Sequence, residues 1–144
     1  MLKRSLVIGS LAIVLVFAAL SEAPHTLSLS AERQVASLNE VKSAILAATG
    51  YDLAAVELTA THVQFAATLV NSKLVAGPAS GRESEASRIS MAIAGVIAEM
   101  PDFEGIQAIH IDYVSRRPDG SVSRNIDGID FRKDPQGAFQ HHVT

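Results

Sequence analysis

The stretch AIHIDYVSRRPDGSVSRNIDGIDF, Ala108–Phe131, decides how this chain folds. Ile109, Ile111 and Tyr113 alternate with His110, Asp112 and Val114, the period of a strand with two unlike faces. Arg117-Pro118-Asp119-Gly120 follows. Proline presets φ for a turn, and glycine accepts the left-handed position that closes it. A three-residue loop with a bulge at Gly120 puts residues whose numbers sum to about 238 opposite one another. That register pairs Ile109, Ile111 and Tyr113 with Ile129, Asp127 and Asn125. It pairs His110, Asp112 and Val114 with Gly128, Ile126 and Arg124, so Asp112 lies diagonal to Arg124.

Working outward, SGRESEASRISMAIAGVIAEM (80–100) predicts a helix, because Ala86, Ile89, Ile93, Val96, Ile97 and Met100 form one apolar stripe. Ser80 and Glu83 have the spacing of a capping box, and Pro101 ends the run. Arg82, Glu83, Glu85 and Arg88 cluster near its start. VAGPASG (75–81) reads as a loop. Residues 54–74 are rich in β-branched side chains and alternate, with Val63 and Phe65, and by extension Ala67 and Leu69, facing one way and His62, Gln64 and Thr68 the other. They form one bent strand or two paired strands split near Ala60 or Thr61. Residues 30–50 predict an earlier helix with Leu38, Val41, Ile45 and Ala48 on one stripe. Either Ser30 or Ser37 caps it, and Gly50 stops it. Residues 24–30 read as a linker. The polar tail from about residue 132 has room for a short final strand.

The order helix, strand or strands, helix, hairpin implies an α+β fold. The expected architecture is a small two-layer sandwich, an antiparallel sheet with two helices on one face. One domain, 31–144, accounts for everything beyond the linker.

The N-terminus carries a different signal. In MLKRSLVIGSLAIVLVFAALSEA, Lys3 and Arg4 precede an apolar run from Ser5 to Leu20. A basic flank, an apolar core and small residues after it are the layout of a secretory signal. As a helix the run reaches about 24 Å at roughly 1.5 Å per residue, short of a hydrocarbon core of roughly 30 Å. Pro24 disfavours a cut after Ala23, and a cut before Glu22 fits better. Residues 1–23 are therefore expected to be a signal peptide or an uncleaved anchor. Either way the remainder lies outside the cytoplasm, periplasmic or secreted, and meets the membrane only through this segment.

Composition excludes several function classes. The 144 residues hold 12 basic and 15 acidic side chains, net −3. Without Lys3 and Arg4 the balance is 10 against 15, or −5. No basic run exists to neutralise phosphates, so no nucleic-acid partner is expected. Absence of cysteine removes disulfides, thiolate metal sites and thiol nucleophiles. No serine lies in G-x-S-x-G or S-x-x-K, GPASG lacks the phosphate-loop lysine, and NIDGID lacks calcium-loop spacing.

The side chains left with chemistry are His110, Asp112, Arg124 and Asp130. They are candidates for ligand binding; no catalytic residue, metal ligand or cofactor is assigned. A His-x-Asp pair on a strand is a weak pattern: it reads first as a solvated cross-strand cluster, and only second as a base oriented by a carboxylate. His141 and His142 point to opposite faces if they lie on a strand and make a poor metal site. The function this implies is a non-catalytic binding module of the cell envelope, with a protein or small ligand as partner. The alternative is a small exported hydrolase or metal-dependent enzyme built on the hairpin cluster.

Overall fold

A computed structural model describes residues 24–143. The chain divides into two units, residues 1–36 and 37–144, and the second carries the sheet. The elements are α1 (Pro24–Thr49), β1 (Val56–Ala60), β2 (Gln64–Val70), α2 (Ala79–Ile97), β3 (Ala108–Arg116), β4 (Val122–Lys133) and β5 (Phe139–His142). The strands form an α+β domain's single mixed sheet in the order β1-β2-β3-β4-β5. Helix α1 takes in residues 24–30, which the sequence reads as a linker. The segment 1–23, with its export signal, lies outside the described residues. Among the described residues no helix is long and apolar enough to cross a membrane.

One pairing departs from the antiparallel expectation: β2 and β3 run parallel, Phe65 opposite Ile109 and Leu69 opposite Tyr113. Helix α2 is the cause. It lies between β2 and β3 in the chain, and a helical crossover lets the next strand set off from the same edge of the sheet in the same direction. The other three pairings are antiparallel.

Residues 54–74 give two strands, and their turn needs neither glycine nor proline. Thr61 closes it: its amide donates to the Gln64 carbonyl at 2.8 Å, and its Oγ1 accepts from the Gln64 amide at 3.0 Å. The turn packs against Gly105, where an added Cβ would stand 2.6 Å from the His62 carbonyl oxygen. Asn71 ends β2 with φ +54, and its side chain takes over the ladder. Its Oδ1 accepts from the Arg116 amide at 2.8 Å and its Nδ2 donates to the Arg116 carbonyl at 3.3 Å.

Both predicted helix faces are the buried ones. Val41 and Ile45 of α1 and Ala86, Ile89, Ile93 and Ile97 of α2 share one core with Phe65, Ala67, Leu69, Ile109, Ile111, Ile129 and Phe131. Each fully buried Ile or Phe contributes about 1.5–3 kcal/mol relative to an exposed one. Gly50 stops α1 with φ +75, its amide bonded to the Leu46 carbonyl at 2.8 Å. The start of α2 differs from expectation. Pro78 is the N-cap and makes no side-chain cap bond, so the Ser80–Glu83 box is not used. Proline's fixed φ already suits the entry, and Ser80 falls inside the first turn.

The β3–β4 turn closes as predicted. Gly120 has φ +84 and its amide donates to the Arg117 carbonyl at 2.9 Å, while Arg116 faces Val122. The register then slips twice, between Ser115 and Arg116 and again between Tyr113 and Val114. Beyond the slips Asp112 faces Gly128 and His110 faces Asp130.

Candidate functional site

Those two irregularities assemble the site. Each β-bulge places an extra residue on one strand and shifts every later pair. His110 therefore meets Asp130 across the strands instead of the predicted Gly128. Its Nδ1–H donates to Asp130 Oδ1 at 2.7 Å. Its Nε2 lies 2.9 Å from Oδ1 of Asp112, two residues along the same strand. The ring sits over Gly128, where a Cβ would come within 3.1 Å of Cε1 and 3.2 Å of the Asp112 carboxylate. Glycine there leaves room for the imidazole to lie between its two partners.

Three of the four candidates thus converge, and the fourth does not. Arg124 faces Ser115, nearer the turn, and among the described residues no ion pair joins it to Asp112. Asp112 instead binds the histidine. The cluster lies on the sheet face opposite the core, since Ile109, Ile111 and Tyr113 alternate with it and are buried. His110 and Asp112 are about one-quarter exposed and Asp130 somewhat more.

The electrostatics follow from the contacts. Burial works against a charge on His110, but the hydrogen bond to Asp130 and the charge of Asp112 outweigh it, so the imidazole pKa is raised. A neutral imidazole has one N–H and one lone pair. A ring with a carboxylate oxygen against each nitrogen is satisfied only as the imidazolium. In that form it offers no lone pair to a substrate proton or a metal. Among the described residues no group of three His, Asp or Glu side chains converges as a metal would need.

His141 and His142 lie on β5, on opposite faces. His141 faces Phe131, with ring centroids 5.6 Å apart, and His142 faces Asp130. A surface cleft of about 560 Å³ near the end of α2 is lined by Ile97, Met100, Phe103, Glu104 and Lys133, among others. None of the candidate residues reaches it.

A second polar cluster lies on the core side. Arg82 and Glu85 of α2 are 9% and 6% exposed. Arg82 Nε donates to Asp127 at 3.0 Å, and its Nη1 donates to the carbonyls of Gly77 at 2.8 Å and Leu74 at 3.0 Å. Glu85 Oε1 accepts from the Tyr51 hydroxyl at 2.8 Å and the Tyr113 hydroxyl at 3.0 Å. Tyr51 also meets Ser72 Oγ at 2.5 Å. Burial pushes the Tyr51 pKa up to about 12, with Ser72 opposing and Glu85 adding to the rise. Tyr113 is raised further, again by burial first and then by the Glu85 charge. Every charge here has a partner, which is the condition for burying it. The network ties α2 to β3 and β4 and to the segment after α1. Its sequence signal is that Arg82 and Glu85 continue the stripe of Ala86, Ile89 and Ile93 by one turn.

No protein-family model, no curated protein and no solved structure matches this chain.

Proposed function

We propose that this chain is a non-catalytic binding module of the cell envelope, a two-layer α+β domain delivered or tethered through residues 1–23. Its partner is a protein or small ligand outside the cytoplasm. The observation that carries the non-catalytic reading is the His110 ring, with Asp130 on one nitrogen and Asp112 close to the other. A general base needs a free lone pair within reach of the proton it takes. Here that lone pair is available only if one carboxylate leaves. The extracytoplasmic reading rests on Lys3 and Arg4 ahead of the apolar run.

The test has two arms. Residues 1–30 fused to a reporter active only after export should give activity, and activity confined to the cytoplasm would remove the localisation. The purified chain should not turn over chromogenic ester, phosphate or glycoside substrates. Turnover that disappears in His110→Gln would replace this reading with the hydrolase alternative, in which Asp130 orients His110 and Asp112 moves aside.

A further inference from the structure

The His110 cluster has a property independent of any partner. Two carboxylates approach two different nitrogens of one ring, and the number of N–H groups on that ring depends on pH. With two N–H groups the ring bridges Asp112 on its own strand and Asp130 across the sheet. With one, a lone pair faces a carboxylate oxygen at under 3 Å, and that contact turns from attractive to repulsive.

We propose that Asp112–His110–Asp130 is a pH-sensitive latch on β3 and β4, closed while the imidazole carries two protons and open on one arm once it has lost one. Opening frees a carboxylate on the face opposite the core and takes the cluster from −1 to −2. The surroundings leave this ring as the controlling group. On the same face β2 presents Ala66 opposite His110 and Thr68 opposite Asp112, neither of them charged. On β4, Arg132 is the next residue beyond Asp130 on that face, and on β5 His142 stands opposite Asp130. Both stand on the far side of Asp130, and among the described residues the ion pair of Asp130 is with His110. Glu57 of β1 lies beyond Thr68 and is held by both guanidinium arms of Arg116. Gly128 gives the ring its place and adds no charge.

The sign is fixed by the raised pKa of His110. The closed latch contributes in full below the ordinary histidine value of about 6.5. It is lost as pH rises through the higher folded-state value.

The experiment is an NMR titration of the full chain with ¹⁵N-labelled histidine rings and ¹³C-labelled aspartate carboxyls, the His110 signals identified by their loss in His110→Gln. His110 should keep both ring protons to a higher pH than an ordinary histidine. The carboxyl carbon of Asp112 or Asp130 should report the same midpoint in the unsubstituted protein. Asp130→Asn and Asp112→Asn should each lower that midpoint by about one unit or more, the scale of a close opposite charge. If either variant fails to fold, the shared midpoint in the unsubstituted chain decides the matter. A His110 midpoint at the ordinary value, or one that folded Asn variants leave in place, overturns the latch. So does a carboxyl carbon titration that ignores His110.

Discussion

Replacing Glu85 by alanine tests whether the buried polar network holds α2 to the sheet. Glu85 is 6% exposed and its Oε1 accepts from two phenols, Tyr51 at 2.8 Å and Tyr113 at 3.0 Å. A hydrogen bond to a charged group contributes about 1.5–3 kcal/mol, so the gross loss is about 3–6 kcal/mol. Two effects reduce it. Removing the carboxylate relieves its desolvation, and no buried cation is orphaned, because Arg82 keeps Asp127. Both phenols also retain an alternative acceptor, Tyr51 the Ser72 hydroxyl and Tyr113 the Arg82 carbonyl at 3.2 Å. The expected net destabilisation is about 2–4 kcal/mol. Urea unfolding followed by circular dichroism measures it. A cycle with Tyr113→Phe should show a coupling of about 0.5–3 kcal/mol, as for residues in one network. A loss under about 0.5 kcal/mol, with the two changes strictly additive, would refute the idea that this cluster fastens the helix.

Two further outcomes follow from burial. Ile93 is fully buried in the middle of the α2 stripe, and Ile93→Ala should cost about 2–5 kcal/mol in the same assay; a change under about 0.5 kcal/mol would mean the stripe does not face the core. The chain has two tyrosines and no tryptophan, so absorbance near 295 nm reads Tyr51 and Tyr113 alone. Folding raises both phenol pKa values, so their contribution is complete below the ordinary phenol value of about 10 and is lost as pH rises through about 12 for Tyr51. The folded chain should therefore show little phenolate at pH values where the urea-unfolded chain is half ionised, and coincident curves would contradict the burial.

Much of the scaffold was legible because its signals are local. Leu38, Val41 and Ile45 in α1, and Ala86, Ile89 and Ile93 in α2, recur at the helical period, and a face set by periodicity needs no knowledge of what it packs against. The Pro118–Gly120 turn is equally local. The parallel β2–β3 pairing was not legible in that way. Helix α2 connects these strands, but whether β3 comes back beside β2 or elsewhere in the sheet is a matter of long-range contact, and no single stretch encodes it. The burial of two charges was not legible for a related reason. Arg82 and Glu85 lie on the core stripe, and a charged side chain at a stripe's end reads as its solvent limit unless partners are in view. The partners are Asp127, Tyr51 and Tyr113, distant in sequence.

The candidate site shows how much depends on a small irregularity. At the turn the predicted register holds, with Arg116 opposite Val122. Carried unbroken to the middle of the hairpin, it would put His110 over glycine and leave Asp112 to Arg124, an exposed cross-strand pair worth about 0–1 kcal/mol. The slips at Ser115–Arg116 and Tyr113–Val114 move the partner strand by two residues in all. Because strand side chains alternate with a period of two, a shift of two keeps every residue on its own face. Ile109 keeps an apolar partner in either register, Ile129 or Phe131, but Ile111 exchanges Asp127 for Ile129 and Tyr113 exchanges Asn125 for Asp127, so the core face gains an apolar pair from the slips. On the polar face the shifted register turns a solvated histidine into one bridged by Asp130 and Asp112, with Gly128 as the gap that admits it. The alternation by itself is the same in both registers and does not give the shift; the pairing of Ile111 with Ile129 in place of Asp127 is the sequence signal that favours it.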